Sequence, residues 1–277
     1  MTTVNYPDDS IFRSEFREGM RVDWDVPIPM DDGVVLRANV YRPDDEGRYP
    51  VIMSHGPYGK DLHFEEIYKT CWDLMCENHP DVPAGSTNIH QSWEVADPEK
   101  WVPHGYVIIR VDSRGAGRSP GYLEHFGPRE NQDFFDCIEW AGVQPWSNGK
   151  VGLSGISYYA VNQWSVAAMG PKHLAAICPW EGFNDFYREL SYHGGIYSSF
   201  QRHWYDKQIM PIQHGYGDRG FKSRANGELA AGPETLSDEE LKKNRFDLHG
   251  EFSSHPFDDE YYAARTPDLS KITVPVL

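Results

Sequence analysis

The sequence predicts an α/β fold on a mostly parallel sheet, and three observations carry that prediction. Short apolar runs rich in β-branched residues recur through the first 180 positions, segments of helical spacing separate them, and turn residues mark the junctions. Strands alternating with helices imply right-handed crossovers and parallel neighbours. Ligands bind such sheets outside the carboxyl ends of the strands, so chemistry is expected at that edge.

The elements follow in order. Residues 1–20 read as a loosely held tail, and residues 21–180 as the sheet-bearing core. Asp31, Asp32 and Gly33 form a turn before a strand over 34–41, and residues 42–47 are a loop. Residues 51–53 and 106–111 read as buried strands. A helix is predicted over 131–140, because Phe134, Phe135, Ile138 and Ala141 recur at helical spacing. The turn at 145–149 leads into a strand over 150–154. A second helix over 158–169 is closed by Gly170 and Pro171, and a strand over 174–178 follows.

Residues 181–268 are polar, aromatic and punctuated by glycine, with a capped helical piece at 237–243. They read as an inserted helical cap. Residues 269–277 begin the next core strand, so the reading is of a sheet fold incomplete at its C-terminus, the chain being truncated there.

Composition narrows the function. With 39% hydrophobic and 25% charged residues a buried core is within reach, and disorder is not the default. The net charge of −16 carries no basic run, which argues against nucleic acid or anionic membranes as partners. No apolar stretch approaches the roughly 18 residues of a membrane span. Residues 1–10 lack the basic and apolar regions of a signal peptide, so a cytoplasmic location is expected. Cys71, Cys76, Cys137 and Cys178 show no paired spacing and are read as reduced structural thiols, while the histidines form no metal motif. No metal and no cofactor is expected. Aromatic residues make up 14% of the chain, which suits large apolar pockets.

Two segments could carry a nucleophilic serine. Gly117-Arg118-Ser119-Pro120-Gly121 matches G-x-S-x-G to the letter; Gly155-Ile156-Ser157-Tyr158-Tyr159-Ala160 matches only in part. A nucleophile elbow needs a strand before it, a helix after it, and an N–H on the next residue to bind the oxyanion. Pro120 has no N–H and no helix follows, so Ser119 reads as a loop serine. Ser157 has both flanking elements, with Gly155 two residues before it. Tyr159 stands where the second glycine is usual, and Ala160 is small enough to allow the close helix approach instead. The bland alternative for Ser157 is a helix-capping serine.

Five spaced motifs add context: residues 32–43, His55-Gly56-Pro57-Tyr58-Gly59-Lys60, residues 112–119, residues 144–152, and Gly155-Ile156-Ser157-Tyr158. In this order they resemble the cocaine esterase and X-Pro dipeptidyl-peptidase family of α/β-hydrolases, over about residues 21–190. The resemblance implies an α/β-hydrolase fold and a serine hydrolase of ester or amide bonds working through an acyl-enzyme. It implies Ser157 as nucleophile, the Tyr58 hydroxyl as one oxyanion donor and the Tyr158 backbone N–H as the other. Small esters, amides or short peptides would be the substrates. Asp112 and Arg114 match a family segment after a strand, but the acid of this fold follows the serine in sequence, so Asp112 reads as structural.

The implied acid and histidine base would follow the strand begun at 273–277, and neither can be assigned. His193, His203 and His214 are weak stand-ins, since none sits at a strand end. An X-Pro peptidase would need a carboxylate for the substrate amine, and Glu181, Asp185 and Glu189 are candidates by position. A catalytically inactive remnant serving as a binding module is the remaining alternative.

Overall fold

The computed structural model describes residues 11–277. Its centre is a seven-stranded sheet of β1 (Arg13–Arg17), β2 (Met20–Pro29), β3 (Val35–Arg42), β4 (Tyr49–Gly56), β5 (Val107–Asp112), β6 (Ser147–Ile156) and β7 (Leu174–Trp180). The spatial order is β1-β2-β3-β5-β4-β6-β7. The β1, β2, β3 and β5 strands pair antiparallel, and β5, β4, β6 and β7 run parallel. Every residue of β5 is buried, Arg110 and Asp112 included, as befits a strand covered on both faces.

The N-terminal edge departs from the predicted tail. Residues 13–17 form β1 and pair with β2 from Arg13↔Trp24 to Arg17↔Met20. The middle three side chains of β1 are exposed, so the segment carries no apolar alternation from which a strand could be read. Its pairing comes from the β2 backbone and from links such as Trp24 Nε1 to Glu15 at 2.8 Å. The signal-peptide reading falls on residues 1–10, outside the described residues.

Helices α1 (Phe64–Asn78) and α2 (Pro98–Trp101) lie in the long β4–β5 connection, which the sequence reading leaves without elements. No residue of α1 is buried, and its backbone departs from helical geometry at Tyr68. Phe64, Ile67, Tyr68, Trp72 and Met75 do recur at helical spacing and are half-buried, so the helix was legible in the sequence although the sequence reading leaves it out. Helix α3 (Pro128–Gly142) starts three residues before the predicted 131, with Pro128 in the first turn, where a missing N–H costs nothing. Helix α4 (Tyr158–Met169) has the predicted bounds.

After β7 the chain makes a separate ribbon of β8 (Tyr192–His193) and β9 (Ile196–Tyr197), then the short helices α5 (Phe200–Trp204), α6 (Asp238–Lys243), α7 (Leu248–Ser254) and α8 (Glu260–Ala263). Ser237 and Glu240 close a capping box at the start of α6. The last residues return to the sheet. Ile177 N–H donates to the Pro275 carbonyl at 3.0 Å, and Leu277 N–H to the Ile177 carbonyl at 3.1 Å, placing Val276 parallel beside β7. At 273–277, where the sequence reading begins a strand, the described chain makes this one bridge and no strand.

Two interiors result. One lies along the sheet and includes Val40, Val51, Ile109, Phe134, Ile138 and Ile177. The other is an aromatic joint between the carboxyl edge and the segment after β7, built on Tyr58, Phe126, Tyr158, Phe186, Trp204 and Phe246. The aromatic content seals this joint rather than lining an open pocket. A cavity of about 450 Å³ lies among Gln201, Tyr205, Arg245 and Phe246, and neither Ser157 nor Tyr58 lines it.

Candidate active site

Strand β6 ends at Ile156 and helix α4 begins at Tyr158, leaving one residue to make the turn. That residue, Ser157, adopts φ +56° and ψ −114°. A side chain in this region costs on the order of 1–3 kcal/mol, which surrounding structure must offset. Here the Ser157 N–H donates to the Trp180 carbonyl at 3.0 Å, while its own carbonyl accepts from the N–H groups of Ala160 and Val161, each at 2.9 Å. The hydroxyl makes no capping bond, which removes the bland reading of this serine.

The neighbours are fitted to the turn. A Cβ on Gly155 would lie 2.3 Å from the Tyr159 Cβ, so only glycine is admitted there. The Tyr159 ring fills the space that a side chain at Gly56 would need, and Ala160 lies close against Gly182. The departures from the usual motif are thereby accommodated: the small residue one place later permits the close approach.

Tyr58 follows the carboxyl end of β4 and is buried. Its hydroxyl oxygen accepts from Trp204 Nε1 at 2.8 Å, and its ring meets those of Tyr158 and Tyr159 edge-on at 5.7 and 5.5 Å. Burial, reinforced by the nearby Glu94 charge, holds the phenol well above its ordinary pKa, so it remains a proton donor. The Tyr158 N–H opens helix α4, where no intrahelical acceptor exists. The Tyr158 side chain turns inward, with its hydroxyl 2.7 Å from both Glu130 carboxyl oxygens and 3.3 Å from His125 Nδ1. Burial raises Glu130 to about 8 and lowers His125 to about 3, so both are neutral around pH 7.

Ser119 is different. It is fully buried, its hydroxyl donates to the Asp112 carbonyl at 2.7 Å and accepts from the Arg37 N–H at 2.8 Å. Asp112 accepts the N–H groups of Lys60 and Arg118, and Arg114 grips Asp133 through two bonds of 2.7 and 2.9 Å. This is the structural role read for Asp112.

The histidines of the segment after β7 are engaged elsewhere or exposed. His193 meets the Glu189 carbonyl at 2.7 Å, His214 meets the Gly117 carbonyl at 3.1 Å, and His203 faces solvent. Among the described residues, none hydrogen-bonds Ser157. Asp185 caps a turn and pairs with Arg188, and Glu189 accepts the N–H groups of Asn184 and Asp185. Glu181 is left, at φ +52° directly after Trp180.

Sequence reasoning missed Glu94. Its backbone is left-handed, φ +63°, and its carbonyl accepts the Ile156 N–H at 3.2 Å, one residue before the nucleophile candidate. Burial raises its carboxyl to about 8, with Glu181 adding to the rise. No motif pointed to it; the strained residues Glu94 and Ser157 joined at one turn, with left-handed Glu181 following the Trp180 carbonyl that binds the Ser157 N–H, are visible only in three dimensions.

Among the described residues, no group of three or more His, Cys, Asp or Glu side chains could hold a metal ion. No described helix is long and apolar enough to cross a membrane. All four cysteines are free thiols.

A mixed sheet in this order, with a strained serine between a parallel strand and a helix at its carboxyl edge, defines an α/β-hydrolase. Residues 32–277 match the model of the X-Pro dipeptidyl-peptidase (S15) family, and the chain belongs to that family. It is 33% identical over 171 residues to the cocaine esterase of Rhodococcus sp. (strain MB1 Bresler), covering 61% of this chain and 25% of that protein. It is 20% identical over 236 residues to a Xaa-Pro dipeptidyl-peptidase of Streptococcus pneumoniae (strain ATCC 700669 / Spain 23F-1), covering 70% and 30% respectively. A crystal structure of a CocE/NonD family hydrolase from Staphylococcus aureus superposes with TM-score 0.72 at 35% identity, covering 92% of this chain and 40% of that one. The chain thus spans between a quarter and two-fifths of the length of these relatives.

Proposed function

We propose that this chain carries the nucleophile and oxyanion hole of a serine esterase, with Ser157 attacking a carboxylic ester and forming an acyl-enzyme. The observation that carries the reading is the strained turn at Ser157, which leaves its hydroxyl unengaged at the carboxyl edge of the sheet. The Tyr58 hydroxyl and the Tyr158 N–H are the two donors to the developing oxyanion, each worth about 2.7–4 kcal/mol to the transition state. Trp204 donates to the Tyr58 oxygen, which leaves the phenol proton for the substrate. The segment 181–268 serves as the cap.

The step is acyl transfer to water. A histidine takes the Ser157 proton, the serine oxygen bonds to the carbonyl carbon, and collapse of the tetrahedral intermediate expels the alcohol. Water then repeats the sequence and releases the acid. Acid and base follow Ser157 in sequence on this reading, in the order of the fold. Small esters are the substrates, and the cytoplasm is the compartment.

A second reading, a peptidase acting on substrates with a free amine, draws on Glu94 and Glu181. Glu94, kept neutral by burial, would ionise beside an ammonium group, with Glu181 as a neighbouring carboxylate. Reaction with a fluorophosphonate, in the full-length protein and in Ser157→Ala, tests the first reading. Labelling that survives in Ser157→Ala overturns it. A preference for aminoacyl over plain esters that Glu94→Gln abolishes would favour the second.

A further inference from the structure

The loop that carries Tyr58 is held from behind by a buried cluster of charges. Lys60, two residues after Tyr58, donates its backbone N–H to Asp112 Oδ1 at 2.7 Å. Its ammonium group, fully buried, lies 2.8 Å from Asp25 Oδ1, 2.7 Å from Asp61 Oδ2 and 3.6 Å from Asp112 Oδ2. Asp112 Oδ2 also accepts the Arg118 N–H at 2.9 Å, tying the Tyr58 loop to the loop after β5. Arg118 Nε lies 2.9 Å from the same Asp25 oxygen, and Asn39 donates to Asp61. A Cβ on Gly117, itself at φ +55°, would fall 2.2 Å from the Asp112 carboxyl, so the loop is shaped around that carboxylate.

Burying three carboxylates and two cations is a poor way to gain stability, because desolvation consumes most of the Coulomb attraction. Its return is geometric: directional bonds fix a position that apolar packing leaves soft. On the other side, the Tyr58 hydroxyl meets Trp204, which belongs to the segment after β7.

We propose that Asp112 and Lys60 are positioning residues for the Tyr58 hydroxyl, holding it where an oxyanion would form. The inference rests on the reading of Tyr58 as an oxyanion donor. Asp112 supplies two acceptors for two loops, and Lys60 neutralises Asp112 while anchoring to Asp25 and Asp61. Neither touches substrate; both act through Tyr58. Burial places Asp112 at about 6 against the opposing pull of Lys60, consistent with a carboxylate kept ionised by its partner.

The experiment uses the full-length protein labelled with 3-fluorotyrosine, as wild type, Asp112→Asn, Lys60→Met and Tyr58→Phe. The ¹⁹F resonance lost in Tyr58→Phe identifies Tyr58. In Asp112→Asn and Lys60→Met that resonance is expected to shift and broaden or split. With 4-nitrophenyl acetate, kcat is expected to fall ten- to a hundredfold with KM within about threefold. The Tyr58→Phe/Asp112→Asn double variant should be no slower than Tyr58→Phe alone, since both changes act on one group. An unmoved, single Tyr58 resonance in folded variants overturns the inference, as does a double variant whose losses multiply. Failure of both single variants to fold also overturns it, because the cluster would then serve the fold and not the phenol. If instead Tyr58→Phe leaves kcat unchanged, the oxyanion reading fails, and the resonance still reports whether the cluster fixes the ring.

Discussion

Two Gly-x-Ser segments, 38 residues apart, meet opposite fates in this molecule. The one that matches the nucleophile motif in full ends with its serine fully buried and its hydroxyl bonded at 2.7 and 2.8 Å to two backbone groups. The one that departs from the motif places its serine on a strained turn with a hydroxyl that makes no capping bond. The difference lies in what flanks each serine. Pro120 can neither open a helix with a free N–H nor donate to an oxyanion, whereas Tyr158 does open one. Reactivity follows the backbone that presents a hydroxyl, not the letters around it.

The comparison can be broken most sharply by mutating the two serines in the active, full-length protein. Ser157→Ala should cost on the order of 10⁴–10⁶ in kcat and abolish fluorophosphonate labelling. Ser119→Ala should leave labelling intact. Equal losses would return the assignment to the start. Next in size, Tyr58→Phe should lower kcat by roughly 10²–10³ with a smaller change in KM, measured with 4-nitrophenyl acetate. An unchanged kcat would reduce Tyr58 to a packing residue.

The glycines sharpen the contrast through stability. Gly155→Ala drives a methyl into Tyr159, and Gly117→Ala drives one into the Asp112 carboxyl from a left-handed backbone. Each should cost about 2–3 kcal/mol in denaturant unfolding, the range of overpacking combined with backbone strain. A neutral Gly155→Ala would mean that the turn relaxes and its strain is not needed. Ser119→Ala should cost about 1–2 kcal/mol, the loss of two hydrogen bonds with the Asp112 and Arg37 backbone groups left behind.

The smallest effect expected is in the pH dependence of stability around Tyr158. His125, held at about 3, is neutral in the fold; its contribution is present above the ordinary histidine value of 6.5 and is lost as pH falls toward 3. Glu130, raised to about 8, behaves oppositely: its contribution is complete below 4.5 and is lost as pH rises toward 8. His125→Gln should flatten the acid side of the stability curve and Glu130→Gln the alkaline side. Some acid sensitivity should remain, because His55 is also lowered to about 4 by burial. Unchanged slopes in both variants would show that neither group is buried as described.

Much of the architecture was legible from the chain alone, and the reason is local. Apolar runs at 51–53, 106–111 and 174–178 fall within β4, β5 and β7 apart from Tyr106, which precedes β5, and α4 has its predicted ends. These are properties of residues within a few positions of one another, which periodicity and turn chemistry capture. The preference for Ser157 over Ser119 belongs here too, since one proline decides it.

Tertiary structure decided the rest. Strand β1 has an exposed face and exists through its partner, so it left no apolar signature. Glu94 reaches the elbow from 62 positions before Ile156, through a backbone bond that no spacing rule contains. Trp204 meets Tyr58 across 146 positions, and Asp112 meets Lys60 across 52. Local sequence determines which elements can form. Which side chains are buried together, with their charge states and directions, depends on desolvation and packing between distant segments, and only the folded chain sets those.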